Sequence, residues 1–212
     1  LVSLCNSNDG NAGSMAAAPL CSERLTSARL AEAASLAAHA FSSSPGYAHI
    51  YPEPSGRVGF LSWLFERNFW LRLNTDCCRC FYEDEKLVAF LMFVTPSVPH
   101  PSGLDMLRAG MVGGIFRFGL SAIKRLLATK NWFETKEAEV FGDRPLITLE
   151  RMTVRPSCQG RGVGTRALGA VLKEADELGL PCGLATQEAR NVQFYSRLGF
   201  KVVDESVCSE GQ

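Results

Sequence analysis

Apolar residues recur at helical spacing in some stretches of this chain and at strand spacing in others, and their order lays out its elements. Leu30, Ala34, Ala37 and Phe41 fall on one face of a first helix, and Phe60, Leu61, Trp63, Leu64, Phe65, Phe69 and Trp70 crowd a second. Between them, Tyr47 to Pro54 reads as a loop, because prolines 52 and 54 remove donors and restrict the residues before them. Cys78 to Tyr82 and Leu87 to Val94 read as a hairpin around the polar turn Glu83-Asp84-Glu85-Lys86. The second of these strands is almost wholly apolar, which predicts a central strand buried on both faces. From Thr95 to Asp143, three prolines break the chain and a glycine-interrupted helix over 111 to 127 carries Arg117, Lys124 and Arg125. That helix is too short and too charged to span a bilayer, and reads as a surface helix covering the sheet or a lid on the acceptor site in preference to the other reading, contact with a membrane surface; no membrane partner is expected. The remainder alternates: a strand over 147 to 154, a helix over 163 to 178, a strand over 182 to 186, a helix over 191 to 198 and a strand over 201 to 203.

The junction of the first strand and helix in that remainder carries chemistry. Gln159-Gly160-Arg161-Gly162-Val163-Gly164 places three glycines where the backbone can turn its N–H groups inward around an anion. The helix that follows, with Val163, Ala167, Leu168, Val171, Leu172, Ala175 and Leu178 on one face, adds unpaired amides and the positive end of its dipole. Gly179 and Pro181 end it. No Lys-Ser or Lys-Thr follows the last glycine, so the loop is not a P-loop, and no acidic residue ends a strand about twenty positions on, which speaks against a Rossmann unit.

The Arg155-Pro156 strand exit, the Gln-x-x-Gly-x-Gly loop at 159 to 164 and the Asn-x-x-x-Tyr-x-x-x-Gly-Phe block at 191 to 200 together resemble the GNAT superfamily of acyl-coenzyme A N-acyltransferases. The resemblance is strong over 147 to 203 and looser over 26 to 96. It implies an α/β fold with a mixed, mostly antiparallel central sheet, flanked by helices and splayed at an acetyl-CoA site. It implies a segment at Tyr47 to Pro54 that flanks the acceptor, and cofactor contacts from the backbone of Met152, Thr153 and Val154, from Gln159, Gly160, Arg161, Gly162, Val163, Gly164 and Thr165, and from Asn191. Asn191 is also read as a helix N-cap. Family members add a last strand beside the one at 201 to 203, whereas this chain stops at Gln212 after polar residues, so the sheet is expected to be truncated or to lack that strand.

Acyl transfer from a thioester to an amine needs a neutral amine, a stabilised oxyanion and a protonated leaving thiolate. Strict alternation along 147 to 154 places Thr148, Glu150, Met152 and Val154 on one face and Leu149, Arg151 and Thr153 on the other. Glu150, among apolar neighbours, is the proposed general base, directly or through water; the alternatives are ion pairing with an arginine or plain orientation of substrate, with Thr148 as the fallback base. The resemblance places Tyr195 beside the cofactor sulfur, where a phenol can donate to the thiolate; its alternative is a packed helix aromatic. Cys158 adjoins the loop without a histidine near it in sequence, so direct attack in a ternary complex is favoured over an acyl-cysteine route.

Composition then bounds the rest. The 212 residues favour one domain, read as a disordered segment over 1 to 21 followed by a single N-acetyltransferase domain over 22 to 212. With 22 basic and 22 acidic residues, overall charge gives no reason to expect nucleic acid or an anionic membrane as partner. The eight scattered cysteines and the absence of a signal peptide at the given start point to a reduced, cytoplasmic setting. Cys77 and Cys80 form a lone C-x-x-C without a second half-site, so no metal is expected. The predicted activity is transfer of acetyl from acetyl-CoA to a primary amine, on a small molecule, by a monomer or homodimer. A peptide acceptor, or a non-catalytic acyl-CoA-binding module, is the other reading.

Overall fold

The fold is that of a computed structural model, which describes residues 2–6 and 20–206. Their strands form one seven-stranded sheet. In chain order the elements are β1 (Val2–Asn6), β2 (Cys21–Arg24), α1 (Leu30–Phe41), α2 (Pro45–Ile50), α3 (Pro54–Trp70), β3 (Cys78–Glu83), β4 (Lys86–Val94), α4 (Gly103–Arg108), α5 (Gly113–Phe118), α6 (Leu120–Phe141), β5 (Ile147–Val154), α7 (Val163–Leu178), β6 (Cys182–Thr186), α8 (Ala189–Ser196) and β7 (Lys201–Glu205). The sheet runs β2-β3-β4-β5-β6-β1-β7, antiparallel throughout except for the β5–β6 pair. The mixed, mostly antiparallel sheet flanked by helices is the expected fold class.

β4 sits third in the sheet and Leu87 to Phe93 are all buried, as its apolar run predicts. It separates two cores. Phe90 and Met92 face α1, α3 and the α5–α6 segment, packing with Ala34, Phe60, Phe65 and Phe69. Leu91 and Phe93 face α7 and α8, packing with Val163, Leu168, Val171 and Phe200. The β3–β4 turn places Asp84 and Glu85 both at positive φ, the two-residue geometry that matches strand twist.

Three sequence expectations change. The segment Tyr47 to Pro54 is largely helical, since Pro45 and Pro54 stand in the first turns of α2 and α3, where proline loses no hydrogen bond. Arg57 fastens the corner, donating from Nε to the Tyr51 carbonyl (2.7 Å), from Nη1 to Ser42 (2.8 Å) and from Nη2 to Pro52 (2.7 Å). The helix expected to end at 127 is split at Gly119 (φ 83°), and α6 continues to Phe141. Met111, Phe118, Ile123 and Leu126 lay this segment on the α1–α3 core.

The third change concerns the segment expected to be disordered. Val2–Asn6 form β1, inserted antiparallel between β6 and β7 and pairing Leu4 with Leu184 and Val202. Ser3 and Leu4 are buried, so a five-residue strand supplies the pairing that β7 otherwise lacks on that side. β7 thus takes its partner from the other end of the described chain. Residues 7–19 of the segment lie outside the described residues.

Candidate active site

β5 and β6 pair only from Ile147↔Cys182 to Leu149↔Leu184, although β5 runs on to Val154 and β6 to Thr186. Beyond Leu149 the strands part. What opens the sheet is a β-bulge: Met92 faces Arg151 while Phe93 faces Leu149, so Glu150 is the extra residue in β5. The bulge shifts the alternation. Leu149, Met152 and Val154 all pack towards α7, whereas Arg151 lies under the Phe65 ring on the opposite face. The strict alternation read from sequence therefore fails at Glu150.

Above the bulge, Arg155 N–H donates to Val88 O (2.8 Å), which fixes which amides of β5 face β4. By alternation Met152 and Val154 turn their backbone N–H groups to the splayed side, and Thr153 turns its own to β4. Thr153 is buried, its hydroxyl donating to Phe90 O (3.3 Å), so it anchors the strand. Gln159 Nε2 donates to Val154 O (3.1 Å), closing the strand's last free carbonyl.

The loop then forms a cradle. Gly160 and Gly162 both stand at φ 74°, and a Cβ at either would enter open space. The first i→i−4 bond of α7 runs from Arg166 N to Gly162 O (3.0 Å), leaving the amides of Val163, Gly164 and Thr165 without helical acceptors. A Cβ on Gly164 would stand 3.0 Å from Met152 Cε and 3.5 Å from Phe194 Cζ, so this glycine lets α7, β5 and α8 converge. Arg161 and Arg166 both bond the Glu83 carboxylate, at 3.2 and 2.7 Å, bringing two guanidiniums to the cradle's rim. Arg166 escaped the sequence reading because it stands beyond the motif, one helical turn into α7.

Glu150 is exposed and pairs with Arg151 Nη1 (3.1 Å), rather than being buried among apolar groups. Arg151 also reaches Met92 Sδ (3.6 Å), and its Nε is buried without an acceptor. Burial lowers the Arg151 pKa, but the Tyr47 hydroxyl and Glu150 carboxylate beside it outweigh this and hold it above its ordinary value. Tyr47 of α2 thus joins Arg151 and Glu150 at the splay, which the loop reading of α2 concealed. Across the opening, Gln187 Oε1 accepts from Gly46 N (2.8 Å) and Ser44 Oγ (3.4 Å), tying α2 to the end of β6.

On the other wall, Asn191 is the third residue of α8 rather than its N-cap, which is Glu188. Its Nδ2 donates to Thr186 Oγ1 (3.1 Å) at the end of β6. Tyr195 packs edge-on against Phe194 and Phe200, with ring centroids 5.1 and 5.6 Å apart. Burial, and secondarily the Cys182 thiol, push its phenol above the ordinary range, so it stays protonated. Cys158 is buried under the cradle.

Below the bulge, a groove of about 620 Å³ opens between β4, β5 and α6, lined by Val94, Pro99, His100, Glu134, Glu137 and Thr148. Thr148 Oγ1 donates to Glu137 Oε1 (2.8 Å). Because Glu150 is bulged, Thr148 and Arg151 are successive positions on one face, so the groove adjoins the Arg151–Glu150 pair. Among the described residues no group of three or more His, Cys, Asp or Glu is placed to hold a metal ion.

The fold is shared with the histone acetyltransferase HPA2 and related acetyltransferase from Corynebacterium glutamicum (17% identity over 86% of this chain and 84% of that one, TM-score 0.55). It is shared with the polyamine N-acetyltransferase of Drosophila melanogaster, an enzyme that forms N-acetylagmatine (16%, 91% and 90%, TM-score 0.56), and with a transcriptional regulator from Bacillus halodurans (14%, 90% and 99%, TM-score 0.51). At these identities the likeness is one of fold. Residues 44–200 match the acetyltransferase (GNAT) family, whose acyl donor is acetyl-CoA. The chain is a member of the GNAT acetyltransferase family.

Proposed function

We propose that this acetyltransferase moves the acetyl group of acetyl-CoA to a primary amine of a small cationic molecule, by direct attack in a ternary complex. The observation that carries this reading is the continuity of the site. Unpaired amides run from the cradle (Val163, Gly164, Thr165) along the free edge of β5 (Val154, Met152) to Glu150, and the acidic groove begins at Thr148 on the far side of the bulge. Open space over Gly160 and Gly162 suits a pyrophosphate, with Arg161 and Arg166 at the rim. Backbone amides of Met152 and Val154 hold the pantetheine arm and polarise the thioester carbonyl. Glu150 takes the ammonium proton, directly or through water, and the neutral amine attacks. The C–S bond breaks as the tetrahedral intermediate collapses. Tyr195 donates its phenol proton to the departing thiolate, and the proton that the acylated nitrogen sheds restores the phenol, so that CoA leaves as the free thiol. Asn191 braces α8 against β6 through Thr186.

Glu150→Gln should lower kcat by roughly 10²- to 10³-fold near neutral pH with little change in KM for acetyl-CoA. The deficit should narrow as pH rises and the acceptor loses its proton unaided. Tyr195→Phe should cost roughly tenfold in kcat. Thiol release by the single and double variants across pH checks this, and undiminished turnover in the double variant overturns both assignments.

The acceptor assignment rests on Glu137, which lines the groove and suits the second ammonium of a diamine or polyamine; Glu134, also in the lining, is paired with Lys130. Glu137→Gln should raise KM for diamines roughly tenfold, while kcat and KM for neutral-tailed monoamines stay put. A panel of monoamines, diamines, aminoglycosides and peptides measures this. Turnover confined to peptides would place the acceptor elsewhere.

A further inference from the structure

The segment between β4 and β5 presents an outer face that the catalytic reading leaves unused. Seven of the eleven large apolar side chains exposed among the described residues lie between Leu104 and Leu127. Phe116, within α5, is the extreme at 88% exposed. The inner face is already satisfied: Phe118 packs on Tyr51, Phe60 and Trp63, and Gly114 lies against the Trp63 ring, where a Cβ would come within 2.4 Å. Along α6, Leu120, Lys124 and Leu127 form an exposed stripe at helical spacing, opposite the buried Ala122.

Charge separates this segment from the rest of the molecule. Residues 103–133 hold five basic side chains (Arg108, Arg117, Lys124, Arg125, Lys130) against one acidic, Asp105, in a chain with 22 of each. The zero net charge of the whole therefore hides a basic segment on a net acidic body. Arg108, Arg117, Lys124 and Lys130 are exposed. Protruding aromatic and aliphatic side chains with a basic rim fit a surface that is apolar beneath and anionic above.

We propose that α4, α5 and the first two turns of α6 dock this enzyme on anionic lipid bilayers, with Phe116 and Leu120 entering the interface and Arg117 and Lys124 at the phosphate level. The contact is peripheral, for among the described residues no helix is long and apolar enough to cross a membrane. A second copy fits less well, because a twofold contact through this face opposes its basic residues to their own counterparts. Docking leaves the site open: Glu134 and Glu137 lie roughly 15 and 20 Å along α6 from Lys124 at about 1.5 Å per residue.

The test is co-sedimentation of the full chain with vesicles of phosphatidylcholine, with and without phosphatidylserine. Binding is expected only with phosphatidylserine, and should fade with added salt as the Debye length falls from about 10 Å at 0.1 M to about 3 Å at 1 M. F116S/L120S should weaken it at least tenfold or so, and R117Q/K124Q roughly 30-fold, with turnover of a soluble amine unchanged in both. Absence of sedimentation at low salt, or equal sedimentation of both variants and the wild type, overturns the proposal. So does self-association in ultracentrifugation that F116S/L120S abolishes while vesicles go unbound.

Discussion

Gly162→Val should abolish measurable acetyl-CoA binding, with a Kd at least a hundredfold or so above that of the unsubstituted enzyme. Gly162 is the N-cap of α7 at φ 74°, ψ 4°, a left-handed conformation. A β-branched residue there is a genuine outlier, with about 1–2 kcal/mol of strain even for an ordinary L-residue. The cradle has two ways to respond, and both fail. If the backbone holds, the valine side chain fills the open space that suits the donor's phosphates. If it relaxes, the amides of Val163, Gly164 and Thr165 no longer converge. Gly169→Ala is the matched control: it sits exposed in mid-α7, with open space at its Cβ and no positive φ, so it should add about 0.5–1 kcal/mol of stability and leave binding alone. Calorimetric titration with acetyl-CoA distinguishes the two. Wild-type affinity in Gly162→Val would place the donor elsewhere.

The contrast between these glycines shows which parts of the site were legible in sequence. The cradle is written contiguously, with its glycines, strand exit and amphipathic helix in one stretch, so local pattern suffices. The bulge is not. Glu150 looks like any alternating strand residue, and the register that makes it the extra one belongs to the pairing of β5 with β4, some sixty positions away. Without that register, alternation puts Arg151 with Leu149 and Thr153 and gives no sign of its contacts with Tyr47, Glu150 and Phe65. Prolines mislead in a similar way: 52 and 54 suggest a loop from Tyr47 on, whereas Pro54 begins α3, and Pro45, outside that stretch, begins the helix that carries Tyr47. The site's donor half is thus readable from neighbours in sequence, and its acceptor half depends on long-range pairing.

β1 carries that dependence furthest. Leu4→Asp should collapse the α7–α8 half of the sheet, with loss of the cooperative thermal transition. Leu4 is fully buried, opposite Leu184 on one side and Val202 on the other. An unpaired carboxylate there costs several kcal/mol, against a total stability of roughly 5–15 kcal/mol for a domain of ordinary size. Leu4→Ala, which only removes volume, should cost about 2–5 kcal/mol, and Val203→Asp, half-exposed on β7, little more than about 0.5 kcal/mol. The effect should also reach the site. β1 pairs Val2 with Thr186, the acceptor of the Asn191 side chain, and Asn6 Nδ2 donates to Leu198 O (3.4 Å) just past α8. Freed of β1, the end of β6 loses a neighbour on that side, and Gln187, which spans the splay to Gly46, loses its footing. Leu4→Ala should therefore raise KM for both substrates as well as lowering the urea midpoint. Unchanged stability in Leu4→Ala would show that the strand does not hold this place in solution.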